Sequence, residues 1–226
     1  QIKKLSDAEL YIRIGHIAFE QAQMDKLKDI NSDMLVVDSS KSIKLRTIET
    51  HNTHKENKNN HEDEGGNDPH IWLDPNMVKI QAENIYQALI KINPENKNYF
   101  LANKNKFIKD LDSLDKKLKN SFKPIKNKTI LVFHPAFGYL ADAYNFHQEA
   151  IEIEGKDPTI KNLQKIIDQA KKDNIKVIFV QKQFSTKSAQ VIADAIGGTV
   201  VQIDPLAQNY FANLEDMAYT INNNLK

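Results

Sequence analysis

Apolar positions along the chain fall into short β-branched runs and longer stripes at helical spacing. The segment DAELYIRIG ends in an apolar run closed by Gly15. IAFEQAQMDKLKDI follows with Ile17, Phe19, Ala22, Met24 and Leu27 spaced as on a helix. DMLVVD then predicts a short strand ending at Asp38. From about residue 51 to 66 apolar periodicity is absent, which predicts a disordered, histidine-rich loop of about residues 48–66. After it, Asp74 is placed to cap a helix with Pro75 at its first position, running through MVKIQAENIYQALIKI and stopping near Asn93 and Pro94.

A second helix is predicted over about residues 94–122, because Phe100, Phe107, Leu111, Leu114 and Leu118 recur at helical intervals. The rest alternates short strands with helices: TILVFH, PAFGYLADAY, KVIFV, STKSAQVIADAIGG, TVVQID. Ser185 can cap the helix before TVVQID, and Gly197 with Gly198 can close it. Such alternation predicts α/β architecture with parallel sheets. The expected layout is two lobes, each a mostly parallel sheet flanked by helices, joined by one long rigid α-helix. The first lobe spans residues 1–93, the linking helix 94–122 and the second lobe 123–226.

Composition narrows the function classes. The 226 residues are 40% hydrophobic and 27% charged, with a net charge of +1. Basic residues are not in excess, which argues against a dedicated nucleic-acid surface. The chain has no cysteine, so thiolate metal sites and disulfides are excluded and any metal must take nitrogen and oxygen ligands. No run of eighteen or more apolar residues is present and no signal peptide is visible.

In open α/β sheets ligands gather at the carboxyl ends of the strands. The polar residues there are His134 after TILVF, Gln181 after KVIFV and Asp204 after TVVQI. His70, stiffened between Pro69 and Pro75, is a third candidate from the other half. Two imidazoles and one carboxylate suit a divalent transition ion such as zinc, at about 2.0–2.2 Å. Plainer roles stand beside these. His134 also fits a helix cap or a core histidine, Asp204 before Pro205 fits a turn starter, and His70 fits a loop residue. Asp68 and Asp74 fit caps, or acceptors behind a ligand, better than ligands. His16 follows a strand too, His147 fits the surface, and Trp72 fits packing. His51, His54 and His61, among Glu56, Glu62, Asp63 and Glu64, make either a solvated acidic linker or a weak zinc-capture tract, the latter being favoured.

In order along the chain, DPHIWLDP, FHPAFGYLADAY and IDPL resemble the metal-binding receptors of bacterial and archaeal ABC transporters for zinc and manganese. The resemblance covers essentially the whole chain, including LSDAELYIRIGHIAFEQ and the long helix. It implies two α/β lobes bridged by a rigid helix with metal buried between them. It also implies that His70, His134 and Asp204 are ligands. Manganese members tend to carry glutamate where this chain has His134, and zinc members often carry a histidine- and acid-rich loop before DPH. Both features imply Zn2+ over Mn2+. Three departures accompany the match. The family places a strand, a helix, a second strand and a histidine-bearing loop before the point where this chain opens at Gln1. Gln181 and Lys182 stand where the family more usually reads Glu-Pro. The family's lipid-anchor cysteine is not in this chain.

The expected function is therefore a metal-binding receptor without catalytic chemistry. It would act in the periplasm or at the outer face of the cytoplasmic membrane, in either a free or a lipid-anchored form. Working as a monomer, it would hand Zn2+ to an ABC-transporter permease. One alternative is a mononuclear zinc hydrolase, against which stand the lack of H-E-x-x-H and of a motif-positioned general base. Another is a surface adhesin on the same fold.

Overall fold

The computed structural model describes residues 2–48, 66–152 and 158–225. His51, His54 and His61, with the acidic residues among them, lie outside the described residues. The chain forms two compact units, Gln1–Leu45 with Asn67–Asp115 and Arg46–Gly66 with Lys116–Lys226. Each is α/β and built on parallel strands, and a long helix runs from one to the other.

The first unit opens with α1 (Ile2–Ser6), β1 (Leu10–Arg13), α2 (Ala18–Ile30) and β2 (Leu35–Asp38). β1 and β2 pair in parallel, from Leu10 opposite Leu35 to Arg13 opposite Asp38. The turn after β1 needs Gly15, whose φ of +84° and close approach to the Asp38 carboxylate leave no room for a Cβ. Buried Glu20 reaches back from α2 and accepts the Gly15 and Ile14 amides at 2.7 and 3.3 Å. That satisfies the amides of the turn leading into α2, whose cap residue Ile17 makes no side-chain capping hydrogen bond.

Two helices follow, α3 (Pro75–Ile92) and α4 (Lys97–Phe122), linked by a 3-10 turn at Pro94–Asn96. Lys79 pairs with Asp112 at 2.7 Å. Lys104 pairs with Glu83 at 2.7 Å while its ammonium lies 4.5 Å from the Tyr86 ring centre. These contacts run α3 alongside the first part of α4. Farther along α4, Leu111, Leu114, Leu118 and Phe122 are fully buried, and the division between the units falls inside this helix. Phe122 stacks on Tyr144 and packs against Phe146, with ring centres 5.2 and 5.1 Å away, which fixes the end of α4 in the second unit.

The second unit holds β3 (Thr129–Val132), α5 (Gly138–Tyr144), β4 (His147–Ala150), α6 (Ile160–Lys172), β5 (Val177–Gln181), α7 (Lys187–Ile196), β6 (Thr199–Ile203) and α8 (Tyr210–Asn224). Its strands form one parallel sheet in the order β4-β3-β5-β6. Every residue of β5 is buried, the expected state of a central parallel strand. Leu131, Phe133, Ile178 and Val180 pack with Ile166 and Ile167 of α6 and Ile192 and Ile196 of α7. Gly197, at φ +60°, ends α7 as the glycine pair predicts. Ser185 accepts the Lys187 amide at 3.3 Å, one residue ahead of the helix boundary at Thr186.

Candidate metal centre

The loop Asp68–Asp74 of the first unit is built around its histidine. Ile71 and Leu73 are buried, and Ile71–Leu73 is a 3-10 turn that drives both apolar side chains into the core. Asp68, 1% exposed, takes the His70 amide at 2.9 Å and the His70 ring nitrogen Nδ1 at 2.6 Å on a single oxygen, Oδ1. The carboxylate only accepts, so Nδ1 carries a proton, and in a neutral imidazole that leaves the lone pair on Nε2. Trp72 meets the imidazole edge-on with centres 5.2 Å apart. Asp74 is a cap: its Oδ1 accepts the Asn76 amide at 2.8 Å at the start of α3.

His134 receives the same treatment in the second unit. It stands two residues beyond the end of β3, and its Nδ1 lies 3.0 Å from Glu152 Oε2. Glu152 is 4% exposed and sits just past β4, the strand paired with β3. In a neutral imidazole the lone pair of His134 is again left on Nε2. Phe184 stacks on the ring at 5.0 Å. Gln181, the last residue of β5, accepts the His134 amide at 3.2 Å and donates to the His134 carbonyl at 2.7 Å. The Gln181 amide accepts through Oε1 and donates through Nε2, which gives it a positional role at this point of the sheet.

β3, β5 and β6 are neighbouring parallel strands, so His134 just past β3, Gln181 at the end of β5 and Asp204 just past β6 lie at the same carboxyl end of the sheet. Asp204 begins a turn, its Oδ1 accepting the Leu206 amide at 3.0 Å and the Gln183 side chain at 3.1 Å. Its second oxygen, Oδ2, lies 3.8 Å from Lys182 Nζ. Partial burial alone would raise the Asp204 pKa, yet the Leu206 and Gln183 hydrogen bonds and the Lys182 charge outweigh it and hold the carboxyl below its ordinary value. The Asp-Pro turn role is therefore realised, and it leaves Oδ2 outside the turn's own hydrogen bonds.

Among the other candidates, half-buried His16 has Nδ1 3.5 Å from the Asn67 side chain, and exposed His147 opens β4. Within either unit, among the described residues, no three His, Asp or Glu side chains gather into a group that could hold a metal. No sequence signal marks Glu152, because the strand just before it, HQEA, has no apolar alternation to announce it.

The chain belongs to the family described as "Zinc-uptake complex component A periplasmic", ZnuA, which matches residues 1–224. It is 32% identical over 143 residues to the high-affinity zinc uptake system protein ZnuA of Bacillus subtilis, covering 62% of this chain and 44% of that protein. It is 30% identical over 245 residues to the zinc-binding protein AdcA of Streptococcus pyogenes, covering 97% of this chain and 47% of that one. The chain thus spans about half the length of these curated relatives. Among solved structures, a crystal structure of ZnuA superposes on all of this chain and 83% of its own, with a TM-score of 0.89 and 36% identity. A zinc-bound deletion variant of ZnuA gives 0.87 and 37%, covering 99% of this chain and 81% of its own. The laminin-binding protein Lmb of Streptococcus agalactiae, described as having adhesin and metal-transporting activity, gives 0.82 and 25%, covering all of this chain and 83% of its own. No helix among the described residues is long and apolar enough to cross a membrane.

Proposed function

We propose that this protein is the extracytoplasmic zinc receptor of an ABC importer and delivers Zn2+ to a membrane permease without catalysing a reaction. The observation that carries the reading is the pair of carboxylate-held histidines. His70 and His134 each have Nδ1 fixed by a buried carboxylate, Asp68 or Glu152, which turns Nε2 into the coordinating nitrogen. His70 comes from the first unit; His134 and Asp204 come from the second, Asp204 through Oδ2. This nitrogen-rich set suits Zn2+ better than a hard cation, and tetrahedral zinc would keep a fourth position for a further donor. Names of the relatives support the same cargo, since ZnuA and AdcA are named for zinc uptake and zinc binding.

Residues 94–122 are proposed as the rigid link between the lobes, because a continuous helix bends less readily than a loop hinge. Delivery to a permease also implies a position outside the cytoplasmic membrane. A hydrolase would need a general base beside a metal-bound water. Here Asp68 and Glu152 are both occupied in holding imidazoles, which favours the receptor.

A competitive zinc titration against a chelating dye, repeated with excess manganese, tests the proposal. Tight one-to-one binding that manganese does not displace, weakened by His70→Ala, His134→Ala and Asp204→Asn alike, is the expected result. Binding indifferent to all three substitutions would overturn it.

A further inference from the structure

The chain already places a cation at Asp204. Its Oδ1 is used by the turn, through the Leu206 amide and Gln183. Its Oδ2, the oxygen left for a metal, faces the Lys182 ammonium at 3.8 Å. Lys182 follows directly on Gln181, which is pinned to the His134 backbone by two hydrogen bonds. The root of the lysine is thereby held beside both ligand candidates of this unit. Its side chain, however, is 62% exposed, so the ammonium is solvated and able to swing away.

We infer that Lys182 is a built-in competitor for the metal: its ammonium neutralises Asp204 when zinc is absent, gives way when zinc binds, and returns as zinc leaves. The inference rests on the assignment of Asp204 as a ligand. Two features separate this role from that of an ordinary surface ion pair. Asp204 is positioned by the turn and by Gln183, so Lys182 is not needed to place the carboxylate. A monovalent charge a few ångströms from a bound divalent one also opposes binding. At about 6 Å in a water-like dielectric that repulsion corresponds to roughly a tenfold loss of affinity. Such a residue makes a receptor weaker and faster to unload, which suits a protein that must surrender its cargo.

The test compares the intact chain with Lys182→Met, Lys182→Arg and Asp204→Asn, using zinc competition with a chelating dye and stopped-flow release of zinc to excess chelator. Lys182→Met is expected to bind zinc about tenfold more tightly and release it more slowly, whereas Lys182→Arg stays near the parent. The gap between Met and parent should narrow at about 1 M salt, where the Debye length is roughly 3 Å. Unchanged or weaker binding by Lys182→Met, or equal behaviour of Met and Arg, overturns the inference. If Asp204→Asn weakens zinc binding while Lys182→Met has no effect, only the competitor role falls. If Asp204→Asn also has no effect, the ligand assignment falls with it.

Discussion

Glu152 holds an imidazole from a position where it is almost wholly buried, so its removal separates positioning from coordination. Glu152→Gln keeps the shape of the side chain but replaces a charged acceptor by a neutral amide. Loss of a carboxylate behind a metal-bound histidine typically costs about 10- to 100-fold in affinity. Zinc competition on Glu152→Gln and Asp68→Asn should each show a loss of that order with far-UV circular dichroism unchanged. Affinity equal to the parent would show that the rings are held by packing alone. The sequence pointed to Asp68 because it stands two residues from His70 in one stiff loop. Glu152 stands eighteen residues from its histidine and meets it only through strand pairing, which no local pattern reveals.

Asp74 makes a second test at this scale. Burial, opposed by the Asn76 hydrogen bonds, pushes its pKa above the ordinary value. A carboxyl whose folded pKa is raised binds protons more readily in the folded state than in the unfolded one. Its contribution is therefore most favourable below its unfolded pKa and is lost as pH rises through the folded pKa. Asparagine caps a helix about as well as aspartate and carries no charge. Asp74→Asn is expected to match or exceed the parent's stability in urea at pH 7, with that advantage shrinking as pH falls towards about 4. Asp74→Ala, which loses the cap, should cost about 1 kcal/mol at both pH values.

At the scale of elements, periodicity revealed what packs by it. The stripe of α4 and the β-branched run of β5 are legible because one face, or the whole strand, is buried, whereas β6 is legible from its β-branched residues although only Ile203 is buried. β4 escaped notice because His147, Gln148 and Glu149 are polar, though Gln148 is buried and accepts the Phe137 amide at 2.9 Å. A buried hydrogen bond substitutes there for apolar alternation. α6 went unread although its buried Ile166, Ile167 and Ala170 form a proper helical face; Ile160, at its start, is 88% exposed.

Two glycines show how different contacts set the cost of one methyl group. A Cβ at Gly198 would overlap the backbone carbonyl of Lys176, where the end of α7 presses on the approach to β5. A Cβ at Gly138 would overlap the Arg46 guanidinium, the far end of a flexible side chain that also pairs with Asp142 at 3.6 Å. Backbone cannot step aside and a guanidinium can. Gly198→Ala should cost about 1–3 kcal/mol in denaturant unfolding, and Gly138→Ala distinctly less. The reverse order would show that Arg46 is held more firmly than its length suggests.

For the whole molecule, the sharpest question is what the histidine- and acid-rich segment contributes beside the proposed tight site. Its two ends already meet, since the Ile48 amide donates to the Gly66 carbonyl at 3.0 Å. Residues 49–65 can therefore be replaced by a short glycine link without pulling the flanking chain apart, and shortening a loop changes closure entropy only slowly with length. His70 is fixed in advance by Asp68, Pro69 and the buried Ile71 and Leu73. If the segment gathers zinc and the fixed histidines keep it, the deletion should remove weak additional binding and slow capture from dilute zinc. The tight site's affinity should stay within about threefold of the parent, a change well under 1 kcal/mol. Calorimetric titration gives the number of sites and stopped-flow mixing gives the rate. Collapse of tight binding on deletion would instead mean that one of His51, His54 or His61 fills the fourth position on the metal, and the segment would then be part of the site.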